Sequence, residues 1–294
     1  CRADSTSSKP RLGGRQLQDY INEYKGKTVL VTGGAGCIGS NLTKALAQAG
    51  AEKILVLDDL SSSCRWNVPD HPSVFFLEGS VLDEETLKTA FFQAPRYVFH
   101  LAALFANQNS IDHPQQDLLV NGLGTLKVLQ YARMTGVERV LFASSGCSVY
   151  GTQAPLPLKE DFVSIELDTP YQITKLLGEL YCNFFRNLYG LPVVRARYFN
   201  VYGPGEVPGK YRNVIPNFVF LALQGRPLPI TGTGEETRDF TFVEDIVDGT
   251  LRAAASPQAA GDAFNLASGT ETSVLTIANT IDELVGNSNG VEFH

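Results

Sequence analysis

Tyr171 and Lys175, in the string Tyr171-Gln172-Ile173-Thr174-Lys175, stand four residues apart. On a helix that spacing sets a phenol and an ammonium side by side on one face. Such a pair can move a proton. A free phenol titrates at about pH 10, and a neighbouring cation favours the phenolate that would serve as a base. Taken alone, the pattern is also ordinary decoration of a surface helix. Ser144 and Ser145 shift the balance, because they close the apolar run RVLFASS (139–145). A hydroxyl at the carboxyl end of a buried strand can hold a substrate alcohol and share its proton with Tyr171.

A second group of residues fits phosphate chemistry. Gly33, Gly36 and Gly39 are spaced GxxGxxG between the apolar run KTVLV and a segment with Leu42, Ala45, Leu46 and Ala49 at helical spacing. Glycines there allow a tight strand-to-helix turn and close approach of backbone to a pyrophosphate. The helix start adds unpaired N–H groups and partial positive charge. Asp58 ends the next apolar run, KILVLDD (53–59). A carboxylate at that point accepts bonds from ribose hydroxyls and repels a 2′-phosphate, so NAD is expected rather than NADP.

The elements that must carry these groups alternate along the chain. Strand-like runs KTVLV, KILVLDD, SVFFLEG, RYVFHLAA, RVLFASS and LPVVRARYFN are separated by helical segments, among them about 83–93, 114–135 and the stretch from Tyr171. Continuous apolar strands joined by helices imply a parallel sheet covered on both faces, a doubly wound α/β (Rossmann) fold. The helix from Tyr171 is expected to turn Ile173, Leu176, Leu177, Leu180, Phe184 and Leu188 to the core. RQLQDYINEY suggests a short helix before the fold proper. We expect an N-terminal extension over 1–26 and a dinucleotide-binding domain over 27–199, completed by about 229–268. A smaller, partly discontinuous substrate lobe would take 200–228 and 269–294.

Bulk properties narrow the partners. Lys and Arg number 24 against 31 Asp and Glu, a net charge of −7 with no basic stripe. That argues against nucleic acid, which needs clustered cations. No apolar run is long enough to span a bilayer, and the first 26 residues lack an apolar signal core. Five scattered cysteines form no CxxC pair, so neither a disulfide framework nor a metal site is expected. A cytoplasmic enzyme is the natural expectation.

The strings TGGAGCIG, VLDDLS, VFHLAA, NGLGTLKVL, SSGCSVYG, PYQITK, RYFNVYGP and TRDFTFVEDI, in that order over about 27–268, resemble the NAD-dependent epimerase/dehydratase family of extended short-chain dehydrogenases/reductases. UDP-glucose 4-epimerase-like members are the nearest type. The resemblance implies Ser145, Tyr171 and Lys175 as catalytic residues. It implies a cofactor site built from Gly33, Gly36, Cys37, Ile38, Gly39, Asp58, Asp59, Ser80 and Val81. Leu101, Ala102, Ala103, Asn121 and Tyr198, with Tyr171 and Lys175, would complete that site. His100 adjoins the cofactor wall and is expected to be a core-edge residue without chemistry. Ser145, Asn200, Asn213, Val214 and Arg238 would hold a nucleotide-diphosphate sugar. Pairing of the 114–135 and 170–189 helices with a second copy implies a homodimer.

Several positions depart from that pattern. Gly146 and Cys147 stand where dehydratases and decarboxylases of the family carry acid/base groups, which favours simple epimerisation at C4. Counting back from Val149-Tyr150-Gly151 would put Gly146, not Ser145, at the hydroxyl position. Cys147 leaves open a 3,5- or 5-epimerase or reductase in which the thiol, with Lys210, acts beside a ketone. Phe240 and Phe105 replace a Tyr and a Lys common in 4-epimerases. Relatives continue past Phe293-His294 with an Arg-containing stretch. A protein that senses NAD without turnover is the remaining alternative, disfavoured because both Tyr171 and Lys175 are present.

Overall fold

A computed structural model describes residues 20–294. Seven strands form the central sheet: β1 (Thr28–Thr32), β2 (Lys53–Asp58), β3 (Val74–Glu78), β4 (Tyr97–His100), β5 (Arg139–Ser145), β6 (Val193–Tyr198) and, from far along the chain, β10 (Ala263–Leu266). Their order is β3-β2-β1-β4-β5-β6-β10, and every pairing is parallel. This is the doubly wound arrangement, in which strand order reverses beside β1 and opens a crevice at the carboxyl edge. Four strands build the small lobe with β12 (Val291–Phe293). β7 (Asn200–Tyr202), β9 (Thr237–Phe242) and β11 (Glu271–Ser273) form one sheet, and β8 (Leu228–Ile230) pairs with β12. Helices Val214–Leu223 and Val274–Val285 pack there around Phe218, Leu228, Ile230 and Ala278. Of the 229–268 span, Val243–Ala255, the turn at Ala259 and β10 join the main sheet and its core; β8 and β9 belong to the small lobe.

Each face of the main sheet has its own core. On one face Leu42, Leu46, Ile246 and Leu251 cover Val29, Val31 and Ile54. On the other, Leu87, Val128, Leu129, Cys182 and Phe185 cover Leu30, Val98, Val140 and Phe142. Such strands have no polar face to offer, which is why they read as unbroken apolar runs. Residues 15–19 of the expected N-terminal helix lie outside the described residues, and Ile21–Tyr24 forms a single 3₁₀ turn. Tyr24 is fully buried, donating to Leu251 O at 2.5 Å, so this end of the extension is part of the core.

The helix Pro170–Tyr189 corrects one expectation. Its start is a capping box: Thr169 Oγ1 accepts from Gln172 N, Gln172 Oε1 accepts from Thr169 N, and Pro170 takes the first turn. Gly190 ends it in the left-handed conformation. The apolar stripe, however, faces outward: Ile173 is 53% exposed, Leu180 55% and Leu188 62%. The buried face carries Tyr171, Thr174, Lys175, Gly178, Glu179 and Cys182 instead. The helix lies so close to β5 that a Cβ on Gly178 would fall 2.3 Å from Phe142 Cζ. Beside Gly178 a large side chain has no room; Phe185, two turns further on, is the large apolar residue this face does bury, and the polar ones there must find partners.

The long Pro114–Asp117, Leu118–Gly124, Thr125–Met134 run packs beside the Pro170–Tyr189 helix, its middle a π-helical turn. Leu118, Leu119 and Leu123 on this run are also exposed. No described helix is long and apolar enough to cross a membrane.

Candidate active site

A cleft of about 1450 Å³, counting the space open to solvent, runs along the carboxyl edge of the sheet. The strand ends deliver most of the expected residues to it. After β1 come Gly33, Gly36, Cys37, Ile38 and Gly39; after β2, Asp58 and Asp59; after β3, Ser80 and Val81. Leu101, Ala102 and Ala103 follow β4, Ser144 and Ser145 end β5, and Tyr198 ends β6. Tyr171, Lys175 and Asn213 complete the wall. Asn121, Asn200, Val214 and Arg238 do not line this cleft.

The glycines divide by role. Gly33 has φ +70°, and a Cβ on Gly39 would sit 2.3 Å from Gly33 O. Both are demanded by the protein's own backbone. Gly36 differs, because a Cβ there would meet only Gly33 O, at 3.4 Å. Nothing in the fold forbids a side chain at Gly36, yet the residue lines the cleft at the start of the Cys37–Gln48 helix. That is the cradle a pyrophosphate requires. Asp58 braces it: Oδ2 accepts from Ala35 N at 2.9 Å, while Oδ1 accepts from Leu60 N at 2.9 Å and Ser63 Oγ at 2.7 Å. The carboxylate thus organises its own turn as well as lining the cleft, and its remaining lone pairs suit ribose hydroxyls.

At the other end, Lys175 Nζ donates to Ala143 O at 2.9 Å and lies 5.5 Å from the Tyr171 ring centre. Burial lowers Lys175 to about 8, with Asp117 opposing the shift. Tyr171 is pushed well above its ordinary value by burial, then by the charges of Asp117 and Cys147. The lysine alone therefore does not deliver a phenolate here. A further positive charge, which nicotinamide carries, has to come into the cleft. Phe105 meets the Tyr171 ring edge-on at 6.0 Å.

Asn121 acts behind this wall. Its Nδ2 donates to Asp117 Oδ1 at 2.6 Å and its Oδ1 accepts from Leu104 N at 2.8 Å, while Thr174 Oγ1 donates to Asp117 Oδ2. The π-helical turn that contains Asn121 thereby ties the loop after β4 to the Tyr171 helix. His100 is fully buried and held below its ordinary value, at about 3, by that burial and then by Lys175. Thr125 Oγ1 donates to Asn121 O, so His100 Nε2 donates to Thr125 and Nδ1 accepts from Thr32. Both ring nitrogens are occupied, as a structural residue requires.

Ser145 is half-buried, and its Oγ accepts from Ser148 Oγ at 2.9 Å. Gly146 cannot carry a side chain, since a Cβ would lie 2.3 Å from Cε2 of Phe199, itself a cleft residue. Cys147 is solvent-accessible but crowded by protein, which pushes its thiol up to about 11. Asn200 Nδ2 approaches its Sγ at 3.6 Å and Asp239 O at 3.3 Å. Lys210 pairs instead with Asp112 at 2.9 Å. Arg238 is exposed and donates to Thr237 O at 2.7 Å. Among the described residues no group of three metal-ligating side chains occurs.

One cluster escaped the sequence reading. Arg197 on β6, only 2% exposed, forks onto Glu179 with Nε–Oε1 2.9 Å and Nη2–Oε2 2.8 Å. Glu179 Oε1 also accepts from Ser144 Oγ, and Arg197 Nη1 donates to Tyr150 OH. Ser144 is thus committed to structure, and Ser145 is the strand-end hydroxyl left facing the cleft. An arginine inside an apolar strand signals a buried partner, and Tyr171, Lys175 and Glu179 share one four-residue spacing.

The model of the NAD dependent epimerase/dehydratase family matches residues 29–267. The chain belongs to that family. It is accordingly an NAD-dependent enzyme, and the Gly36 opening and Asp58 fit that cofactor. A UDP-glucose 4-epimerase of Mycolicibacterium smegmatis is 38% identical over 268 residues, covering 90% of this chain and 85% of the relative. Among solved structures, the epimerase Mth375 of Methanothermobacter thermautotrophicus is 58% identical with a TM-score of 0.93, covering 95% of this chain and 83% of that one. The Bordetella bronchiseptica enzyme WbmF, solved in complex with NAD+ and UDP, is 39% identical with a TM-score of 0.82, covering 93% and 81%.

Proposed function

We propose that this enzyme is a nucleotide-sugar epimerase that inverts C4 of a UDP-hexose through a transient 4-keto sugar. The observation that carries the reading is a single continuous cleft. It has a diphosphate cradle at Gly36 at one end and the Ser145, Tyr171, Lys175 group with Asn213 at the other. NAD, when bound, supplies a reversible hydride acceptor and a positive charge beside the phenol. Tyr171 Oη takes the proton of the sugar hydroxyl, with Ser145 Oγ orienting that hydroxyl. Lys175 Nζ has one proton engaged by Ala143 O and two left to orient the cofactor ribose. The ketone then turns over and regains the hydride on its other face, with Tyr171 returning the proton. Asn200, Asn213, Val214 and Arg238 are proposed to hold the nucleotide diphosphate, the small lobe closing on it to bring Asn200, Val214 and Arg238 to the cleft. Remote binding of that handle positions the reacting carbon.

The thiol of Cys147, raised to about 11, and the engagement of Lys210 with Asp112 favour this reading over chemistry at C3 or C5. The test is incubation with NAD and a panel of UDP-, GDP- and dTDP-sugars in heavy water, with products read by NMR. Inversion at C4 without solvent deuterium is expected. Deuterium at C3 or C5 would overturn the 4-epimerase reading in favour of Cys147. NAD retention with no turnover of any sugar would make the protein a sensor.

We also propose that the exposed apolar faces of the Pro170–Tyr189 helix and the Leu118–Gly124 turn pair with their own copies across a two-fold axis. An apolar surface of this extent on two adjacent helices marks an interface. A dimer mass by light scattering at micromolar concentration is expected, and a monomer would exclude it.

A further inference from the structure

The segment after β7 doubles back over the Gly-rich turn and is pinned there. Asn67 Nδ2 donates to Ala35 O at 3.0 Å and to Gly205 O at 2.8 Å, and Asn41 Nδ2 donates to Pro204 O at 2.8 Å. A Cβ on Gly205 would lie 3.0 Å from Ser40 Oγ and 3.6 Å from Cys37 Cα, so the contact is close. Glu206, the next residue, is thereby held at the cleft wall near the start of the Cys37–Gln48 helix. Its Oε1 accepts from Asn213 Nδ2 at 2.9 Å. Its Oε2 is closed off from solvent, the open cleft included, and has no hydrogen-bond partner, so a turn of the side chain is what brings it to a cleft ligand. A buried polar atom left bare costs about 1–3 kcal/mol, and no step described above uses this one. The titratable groups that face Glu206 are the Cys37 thiol, from the helix, and Arg212, from the loop ahead of the Val214–Leu223 helix. Neither is hydrogen-bonded to it.

We infer that Glu206 is a binding residue for a diphosphate in the cleft, donating from Oε2–H as the neutral acid and repelling the same phosphate once ionised. The inference rests on the reading that the cleft takes NAD and a nucleotide sugar, since both carry that group. Burial pushes Glu206 up to about 7, against the Asn213 hydrogen bond and the Arg212 charge. Both forms are therefore populated near neutrality. The sign follows: binding is tight below pH 7, where the acid donates, and weakens above it, where the carboxylate repels. A glutamine in its place donates at every pH.

The test is calorimetric titration from pH 6 to pH 8, with NAD added to NAD-free protein and UDP-glucose added to the NAD-loaded protein. Neither diphosphate diester titrates in that range. For the ligand that faces Glu206, affinity should fall about tenfold between the two ends, while Glu206→Gln should bind with a flat profile. A slope confined to the NAD arm places the acid on the cofactor diphosphate, and one confined to the UDP-glucose arm places it on the substrate. Flat wild-type profiles in both arms, or an equal slope in Glu206→Gln, overturn the inference. The wild-type profile decides alone if the variant does not fold. Failure of UDP-glucose and of every other sugar of the UDP-, GDP- and dTDP-sugar panel to bind at any pH would sink the nucleotide-sugar reading, with the NAD arm still deciding Glu206.

Discussion

The two ends of the cleft are built on different principles. At the Gly-rich end the backbone is the binding device: Gly33 and Gly39 are fixed by their own main-chain contacts, Gly36 leaves room for a ligand, and Asp58 ties the turn to β2. At the Tyr171 end, side chains do the positioning through buried polar contacts, in the sets Asp117–Asn121–Thr174 and Ser144–Glu179–Arg197–Tyr150. Backbone geometry tolerates almost no substitution but needs few residues. A side-chain network tolerates exchange as long as every donor keeps an acceptor. The first end can stay constant while the second is retuned to a different sugar.

Removing the Tyr171 hydroxyl should separate the two ends most sharply. Tyr171→Phe is expected to lower kcat by about 10²–10⁴-fold, the range for a general acid–base group, with NAD affinity changed less than threefold by calorimetry. A variant that lost NAD as well would mean that the two ends are one cooperative unit.

The Gly-rich end is broken in two distinguishable ways. Gly36→Val should fold with an unchanged melting temperature, because its Cβ meets nothing closer than 3.4 Å and its φ of −73° is ordinary. Its NAD affinity should drop by tenfold to a hundredfold, as overpacking costs about 1–3 kcal/mol. Gly39→Ala should instead lose the fold, having 2.3 Å to a carbonyl oxygen. Equal melting temperatures for the two variants would refute the division of roles.

His100 sits on the seam, joining Thr32 of β1 to Thr125 beneath Asn121. Burial depresses it to about 3 from its ordinary 6.5, so the unfolded chain binds the extra proton first as pH falls. Its contribution is fully present above pH 6.5 and is lost as pH drops towards 3. At pH 5 the loss should be about 2 kcal/mol. Chemical denaturation of wild type and His100→Gln at pH 7.5 and pH 5 measures it. The variant should lose less stability than wild type on acidification, and parallel losses would acquit His100.

The backbone-built end was legible in sequence because its signals are local. Glycine spacing, an apolar run and an acidic strand end all fall within one βαβ unit. The Tyr171 end was legible only in its motif. Its helix was expected to turn Ile173, Leu180 and Leu188 inward, and they face outward because Gly178 lets the helix lie against Phe142 and the face so buried is taken by Tyr171, Lys175, Glu179, Cys182 and Phe185. Periodicity reports that a helix has two faces, and burial by another copy or by its own sheet gives the same pattern. The Arg197–Glu179 pair and the Asn67 tether were invisible for a related reason: each joins residues far apart in sequence, and no short string encodes the partner. Arg238 and Asn200 fit a family motif yet stand outside the cleft, on the small lobe, where motif order says nothing about distance.

The smallest expected effect bears on Cys147, the residue on which the choice of reaction turns. In the proposed C4 inversion every proton passes through Tyr171, and no group is needed at the neighbouring carbons. Cys147→Ala should then leave kcat within twofold. It removes only a weak contact to Asn200 at 3.6 Å. A thiol held at about 11 is neutral throughout the working pH range, so the pH profile of kcat should also be unchanged. A loss of a hundredfold or more would instead show that the thiol moves a proton. It would also require Lys210 to leave Asp112, so Asp112→Asn would then affect the same step. Silence of both substitutions keeps the chemistry at one carbon and on one side chain.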